Sequence, residues 1–156
     1  LLALTSAAAL VERLLPEREP HPDTFASFTA LIEVLSAGGN WLSRYVEWEL
    51  GLLNQLGYGL DLTECAATGA TDDLVYVSPK TGCAVSAGAG APYREKLFDL
   101  PPFFRVEDLD PPTDDIRTGL RVTGHFLARC AKDADTGELP RSRASFVDRV
   151  SRNTPD

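Results

Sequence analysis

The sequence predicts a mostly α-helical bundle carrying one small β-hairpin. Apolar residues recur at spacings of three and four in five separate segments, the signature of buried helix faces. Strand-like alternation is confined to about residues 74–86. The links between the first three helical segments are short and built from proline and glycine, which favours antiparallel neighbours.

The first helix is expected over 1–15, with Leu4, Leu10, Val11, Leu14 and Leu15 on its apolar side. Pro16 to Pro22 cannot stay helical, and proline suits the opening turn of a second helix near Pro22-Asp23-Thr24. That helix carries Phe25, Phe28, Leu31, Ile32 and Leu35 and stops at Gly38-Gly39. A third covers about 40–56, with Trp41, Leu42, Tyr45, Leu52, Leu53 and Leu56 on one side. Gly57 closes it with a left-handed residue, and Tyr58 can fold back on its last turn. Pro79 and Gly82 supply the turn of the hairpin. Gly88 to Pro92 reads as a loop, and Tyr93 to Leu100 as a short helix broken by Pro101-Pro102. Pro111-Pro112-Thr113-Asp114-Asp115 opens the next helix with a capping threonine or aspartate, and Ile116, Leu120, Thr123, Leu127 and Cys130 form its apolar side. After the turn at Asp135-Thr136-Gly137, a final helix carries Phe146, Val147 and Val150.

A chain of 156 residues suits one domain with a hydrophobic core, and 44% apolar content marks it as globular rather than disordered. No apolar run approaches the roughly 20 residues that span a membrane, so no membrane partner is expected and a cytoplasmic, nucleoid-associated protein is the default. A net charge of −8 argues against a general nucleic-acid-binding surface, but the distribution is uneven. Residues 1–111 hold 7 basic and 16 acidic side chains, whereas residues 112–156 hold 8 and 7. An anionic partner is therefore expected to meet the last third.

The string Glu49-Leu50-Gly51-Leu52-Leu53-Asn54-Gln55-Leu56-Gly57-Tyr58, followed by Leu62 and Cys65, is more specific than a generic helix end. It resembles the matching segment of RecO, the bacterial recombination-mediator and DNA-repair family. Leu4-Thr5-Ser6-Ala7-Ala8-Ala9-Leu10 resembles the helix after that family's N-terminal barrel. Val75 to Ser86 resembles its small hairpin in alphaproteobacterial form, and Leu139-Pro140-Arg141-Ser142-Arg143 its Leu-Lys/Arg-Ser-Arg signal before a terminal helix. The resemblance implies a single RecO C-terminal-like helical domain over 1–156, with a degenerate zinc-finger-like hairpin inserted at about 62–90. The chain begins at Leu1, contains no methionine and shows no barrel-like strand pattern, so the expectation is the C-terminal region without its OB-fold. Some RecO proteins hold zinc with four cysteines in two close pairs at this hairpin. Here Cys65 and Cys83 stand alone, with no second thiol nearby, and no metal or other cofactor is expected. Cys130 shares the apolar spacing of its helix and reads as a small core residue.

Arg117 and Arg121 are four apart and so share one helix face, beside the apolar stripe of Ile116 and Leu120. Two guanidinium groups bordering an apolar groove suit a short acidic peptide that ends in phenylalanine. The resemblance implies such a ligand, the C-terminal tail of single-stranded DNA-binding protein (SSB), in a groove between this helix and helix three. Leu50 and Leu53 are the expected groove walls, with Arg44 as a further cation. Relatives carry arginines just before the Glu-Leu-x-Leu-Leu segment where this chain has Val46, Glu47 and Trp48, and Glu47 would repel an acidic tail. The competing reading pairs Arg117 with Asp114 or Asp115 in a surface ion pair of little consequence.

Lys132, Arg141, Arg143 and Arg149 form a second basic set, with Arg152 beside it, offered as a sequence-independent contact to the DNA backbone. For Arg143 a structural role is favoured, locking the final helix to the bundle through carbonyl groups or an acid. Trp41, Tyr45 and Trp48 could stack on bases, but their shared helical side favours core packing. His125 reads as a helix-packing histidine. No nucleophile arrangement, glycine-rich phosphate loop or paired acid and base is present, so catalysis is not expected. The expected function is that of a mediator module that binds the SSB tail and, weakly, single- and double-stranded DNA, and works with RecR in strand annealing and RecA loading. The alternative is a structural helical domain supporting a barrel and a protein interface.

Overall fold

The computed structural model describes residues 1–108 and 110–152. It is mostly α-helical, with six α-helices and one three-stranded antiparallel sheet among the described residues. Helices α1 (Leu2–Leu14), α2 (Pro22–Ala37) and α3 (Leu42–Gln55) precede strands β1 (Leu74–Val77) and β2 (Ala84–Ser86). A one-turn helix α4 (Ala87–Gly90) and a 3-10 segment (Ala91–Lys96) lead to β3 (Phe98–Asp99). A second 3-10 turn (Pro102–Phe104), the long α5 (Thr113–Asp133) and α6 (Arg141–Arg152) complete the fold.

Helices α1, α3 and α5 contribute to one core because each has an apolar stripe. Ala3, Ala7, Leu10 and Leu14 of α1, Tyr45, Leu52 and Leu53 of α3, and Leu120, Phe126 and Leu127 of α5 belong to one core. Helix α1 lies against α6, and α3 lies between α2 and α5. The aromatic side of α3 enters this core: Tyr45 is fully buried, with its ring 4.5 Å from that of Phe146 and 5.9 Å from that of Trp48. Stacking on a base is thereby closed to Tyr45 and Trp48. Cys130 is buried in the same core.

Gly57 adopts φ +83°, and the amide of Tyr58 donates to Leu53 O at 2.8 Å, the bond that ends a helix through a left-handed residue. Gly38 ends α2 with φ +74°.

The structure departs from the expected elements in four places. Residues 88–92 are helical rather than a loop, and the expected helix over 93–100 is a 3-10 segment followed by β3. β3 pairs with β1 through Tyr76 with Asp99 and Val77 with Phe98, giving the strand order β2-β1-β3. A two-residue strand has no alternation to read. No side chain caps α5; its N-cap is Pro112, and Asp114 turns to Arg117 instead. On α2, Leu31 is buried but Phe25 is 74% exposed, because the helix lies on one flank of the bundle with few neighbours beyond α3.

Candidate protein-interaction site

Arg117 and Arg121 occupy adjacent turns of α5, as their spacing requires, but the depression beside them lies between α5 and α6 rather than α5 and α3. A cavity of about 440 Å³ is lined by Arg117, Thr118, Leu120, Arg121, Gly124, Arg143, Val147 and Ser151. The reason is angular. Ile116 and Leu120 point into the core toward α3, and the residues that follow them are rotated by roughly 100° onto the α6 side. Arg117 Nη1 meets Asp114 Oδ1 at 3.0 Å, and Nη2 donates to the Ser151 carbonyl of α6 at 2.9 Å. Arg121 is exposed, with its guanidinium 5.7 Å from the centre of the Phe98 ring. Arg117 thus pairs with Asp114 and also borders the depression.

The remaining residues of the expected groove do not join it. Leu53 is fully buried in the core and cannot wall an open groove. Leu50 is half-buried and lines a separate cavity of about 620 Å³ with Leu60, Leu62 and Phe104. Arg44 is held by Glu47 at 2.8 Å and Glu107 at 2.6 Å, two carboxylates that raise its pKa and offset its positive charge. Glu47 thus grips Arg44, an attachment that sequence spacing of three permits.

The second basic set also divides. Arg143 is removed from the DNA-facing candidates by its burial: its side chain is 8% exposed, and Glu49, itself fully buried, takes both Nε at 2.8 Å and Nη2 at 2.9 Å. Nη2 also donates to the Leu120 carbonyl at 2.9 Å, and the Thr123 hydroxyl donates to Glu49 Oε2. Burial opposes the charge on Arg143, yet the Glu49 carboxylate outweighs it and leaves the arginine pKa raised. Gly124 makes room for this guanidinium, since a Cβ there would stand 2.7 Å from Nη1. Lys132, Arg141 and Arg149 are exposed. Arg149 borders a cavity of about 760 Å³ whose apolar lining includes Leu2, Ile32, Trp41 and Phe146. Arg152 pairs with Asp148 at 2.8 Å.

Sequence reasoning passed over Arg129. Its Nη2 donates to Pro79 O at 2.8 Å and its Nη1 to Lys80 O at 3.0 Å, fastening the hairpin tip to α5. His125 Nε2 donates to the same Pro79 carbonyl at 2.9 Å, with its ring against Phe98 and Phe126. The available signal was the run 117, 121, 125, 129, which marks one ridge of the helix.

Of the cysteines, Cys65 and Cys130 are buried and Cys83 is half-buried. Hydrogen bonds from Ser86 and Thr68 pull the Cys65 thiol down to about 6, and the Ser86 amide lies 3.3 Å from Sγ. No helix among the described residues is long and apolar enough to cross a membrane.

Residues 1–133 match the family described as Recombination protein O C terminal. This chain belongs to the RecO family. Curated relatives named DNA repair protein RecO include those of Caulobacter vibrioides, 48% identical over 151 residues, and Rhodospirillum centenum, 50% identical over 154 residues. A third, from Phenylobacterium zucineum, is 47% identical over 151 residues. Each alignment covers 97% of this chain but only 62%, 61% and 62% of the respective relatives, so the chain spans about three fifths of their length. No solved structure matches. In this RecO-family chain, Glu49 and Arg143, residues from two of the strings that carried the resemblance, meet inside the bundle.

Proposed function

We propose that this chain is the helical module of a DNA-repair recombination mediator and acts by binding, without catalysis. It takes the acidic C-terminal tail of SSB at the α5–α6 depression, meets RecR and DNA through other surfaces, and so assists strand annealing and RecA loading. Several weak contacts joined in one molecule supply the affinity that no single one provides. One observation carries the tail assignment: Arg117 and Arg121, on successive turns of α5, line one depression together with Leu120 and Val147. A guanidinium can hold a carboxylate through two parallel hydrogen bonds, and an apolar recess beside it can hold the terminal ring of the peptide. Family membership and the DNA repair naming of the relatives support the broader reading.

Titration of a fluorescent acidic tail peptide against the wild-type chain and Arg117→Ala/Arg121→Ala tests the site. The expected result is at least tenfold weaker binding by the double variant; equal affinity removes the assignment. The ion pair of Arg117 with Asp114 favours a second reading, a structural helical domain that supports a barrel and a protein interface. In that case neither protein binds the peptide.

A further inference from the structure

The cations of α5 and the hairpin differ in what holds them. Arg117 faces a carboxylate, as do Arg44, Arg143 and Arg152 elsewhere. Arg121 and Arg129 are instead fixed by neutral groups, Arg121 by the Phe98 ring and Arg129 by the Pro79 and Lys80 carbonyls and the Phe126 ring at 5.4 Å. Neither makes an ion pair among the described residues. A carbonyl or an aromatic face orients a guanidinium without cancelling its charge, so these two present fixed, uncompensated positive charge.

They are also in line. Residues 121, 125 and 129 form a single ridge with an axial step of about 6 Å, and Lys132 extends it at the exposed end of the helix. The Lys80 carbonyl is the acceptor for Arg129, so the hairpin tip places Lys80, an exposed residue, beside the same ridge. Asp133, the next residue at the same spacing of four, accepts a hydrogen bond from the Tyr58 hydroxyl at 2.7 Å, and its carboxylate bounds the positive ridge at that end.

We propose that Arg121, His125, Arg129 and Lys132, together with Lys80, form a track for the phosphate backbone of single-stranded nucleic acid. The track is roughly 17 Å long and one-sided, enough for a few phosphates. A duplex would overhang the rest of a chain whose net charge is −8, where acids outnumber bases, whereas a single strand can keep to the ridge. An acidic peptide needs a recess for its apolar anchor, and the recess lies on the other flank of Arg121, toward α6. The proposal rests on the reading that this module meets nucleic acid, and it moves the contact from α6 to α5 and the hairpin.

The test is fluorescence anisotropy with a labelled oligothymidylate at several salt concentrations. Lys80→Gln/Lys132→Gln is the decisive variant, since neither side chain makes a described hydrogen bond and neither belongs to the tail site. It should lower the slope of log affinity against log salt by about 1.4, two contacts at about 0.7 each. Its tail-peptide affinity should equal the wild-type value. Arg129→Lys, which keeps the charge, should retain most of the slope. Arg18→Gln, a loss of charge in the link between α1 and α2, should leave the slope unchanged. The proposal is overturned if this control weakens oligonucleotide binding as much as the decisive variant. It is also overturned if the wild type binds the oligonucleotide without salt dependence, or binds only the acidic peptide. The peptide titration on the same samples reports separately on the tail site.

Discussion

Glu49 and Arg143 are 94 residues apart in sequence and joined by two hydrogen bonds of 2.8 and 2.9 Å in the interior of the bundle. The pair ties α3 to α6 across α5, whose Leu120 carbonyl and Thr123 hydroxyl complete its shell. Breaking such a pair strands a charge, whereas replacing both members with apolar groups removes the desolvation penalty as well. Arg143→Met alone should therefore cost about 3–5 kcal/mol in urea unfolding. Glu49→Leu/Arg143→Met should recover most of that loss. A double variant as unstable as the sum of the singles would show that the pair does not act as a unit.

Gly124→Ala sets two effects against each other. Alanine favours the interior of a helix over glycine by about 1 kcal/mol. The new methyl would stand 2.7 Å from Arg143 Nη1, and that guanidinium is pinned by four partner contacts and has no slack. The clash should win in the wild-type background and lower the midpoint of thermal unfolding. In the Arg143→Met background the same substitution should raise it.

Leu50 and Leu53 are three apart on α3 but differ in environment, one half-buried beside a surface cavity and one wholly enclosed. Leu53→Ala should destabilise by about 2–5 kcal/mol. Leu50→Ala should cost less than about 1 kcal/mol by the same unfolding assay, since most of its surroundings remain open to solvent.

Tyr45 is buried, hydrogen-bonded to Ser6 at 2.6 Å and close to the Glu49 carboxylate. Burial first, and then the Glu49 charge, push its pKa far above the usual tyrosine value. A folded-state pKa raised above the unfolded one contributes stability that is complete below about pH 10 and lost as pH rises beyond it. Absorbance titration of the 4 tyrosines should show one that ionises only as the chain unfolds. Tyr45→Phe should remove that late component and flatten the alkaline loss of stability.

The helices were legible because each buried stripe is written locally: Gly57 marks the end of α3, and Leu120, Leu127 and Cys130 mark the inner face of α5. Arg117 and Arg121 could be placed on one face for the same reason. Which neighbour that face meets was not legible, because a shift of one residue around α5 exchanges α3 for α6. The Glu49–Arg143 contact has no local pattern at all, although the arginine's preference for an acid or a carbonyl was readable from its place before a helix. Arg129 escaped notice because its partners are backbone carbonyls of a hairpin turn, which leave no trace in side-chain spacing.

The packing of α1 against α6 has a consequence for synthesis on the ribosome. Helix α1 emerges early with Ala3, Ala7 and Leu10 turned toward a neighbour more than a hundred residues downstream. Until Phe146 and Val150 leave the exit tunnel, those side chains and the Glu49 carboxylate lack their final cover. The core around α1 can therefore close only after all of α6 has emerged, and until then the apolar side of α1 is open to wrong partners.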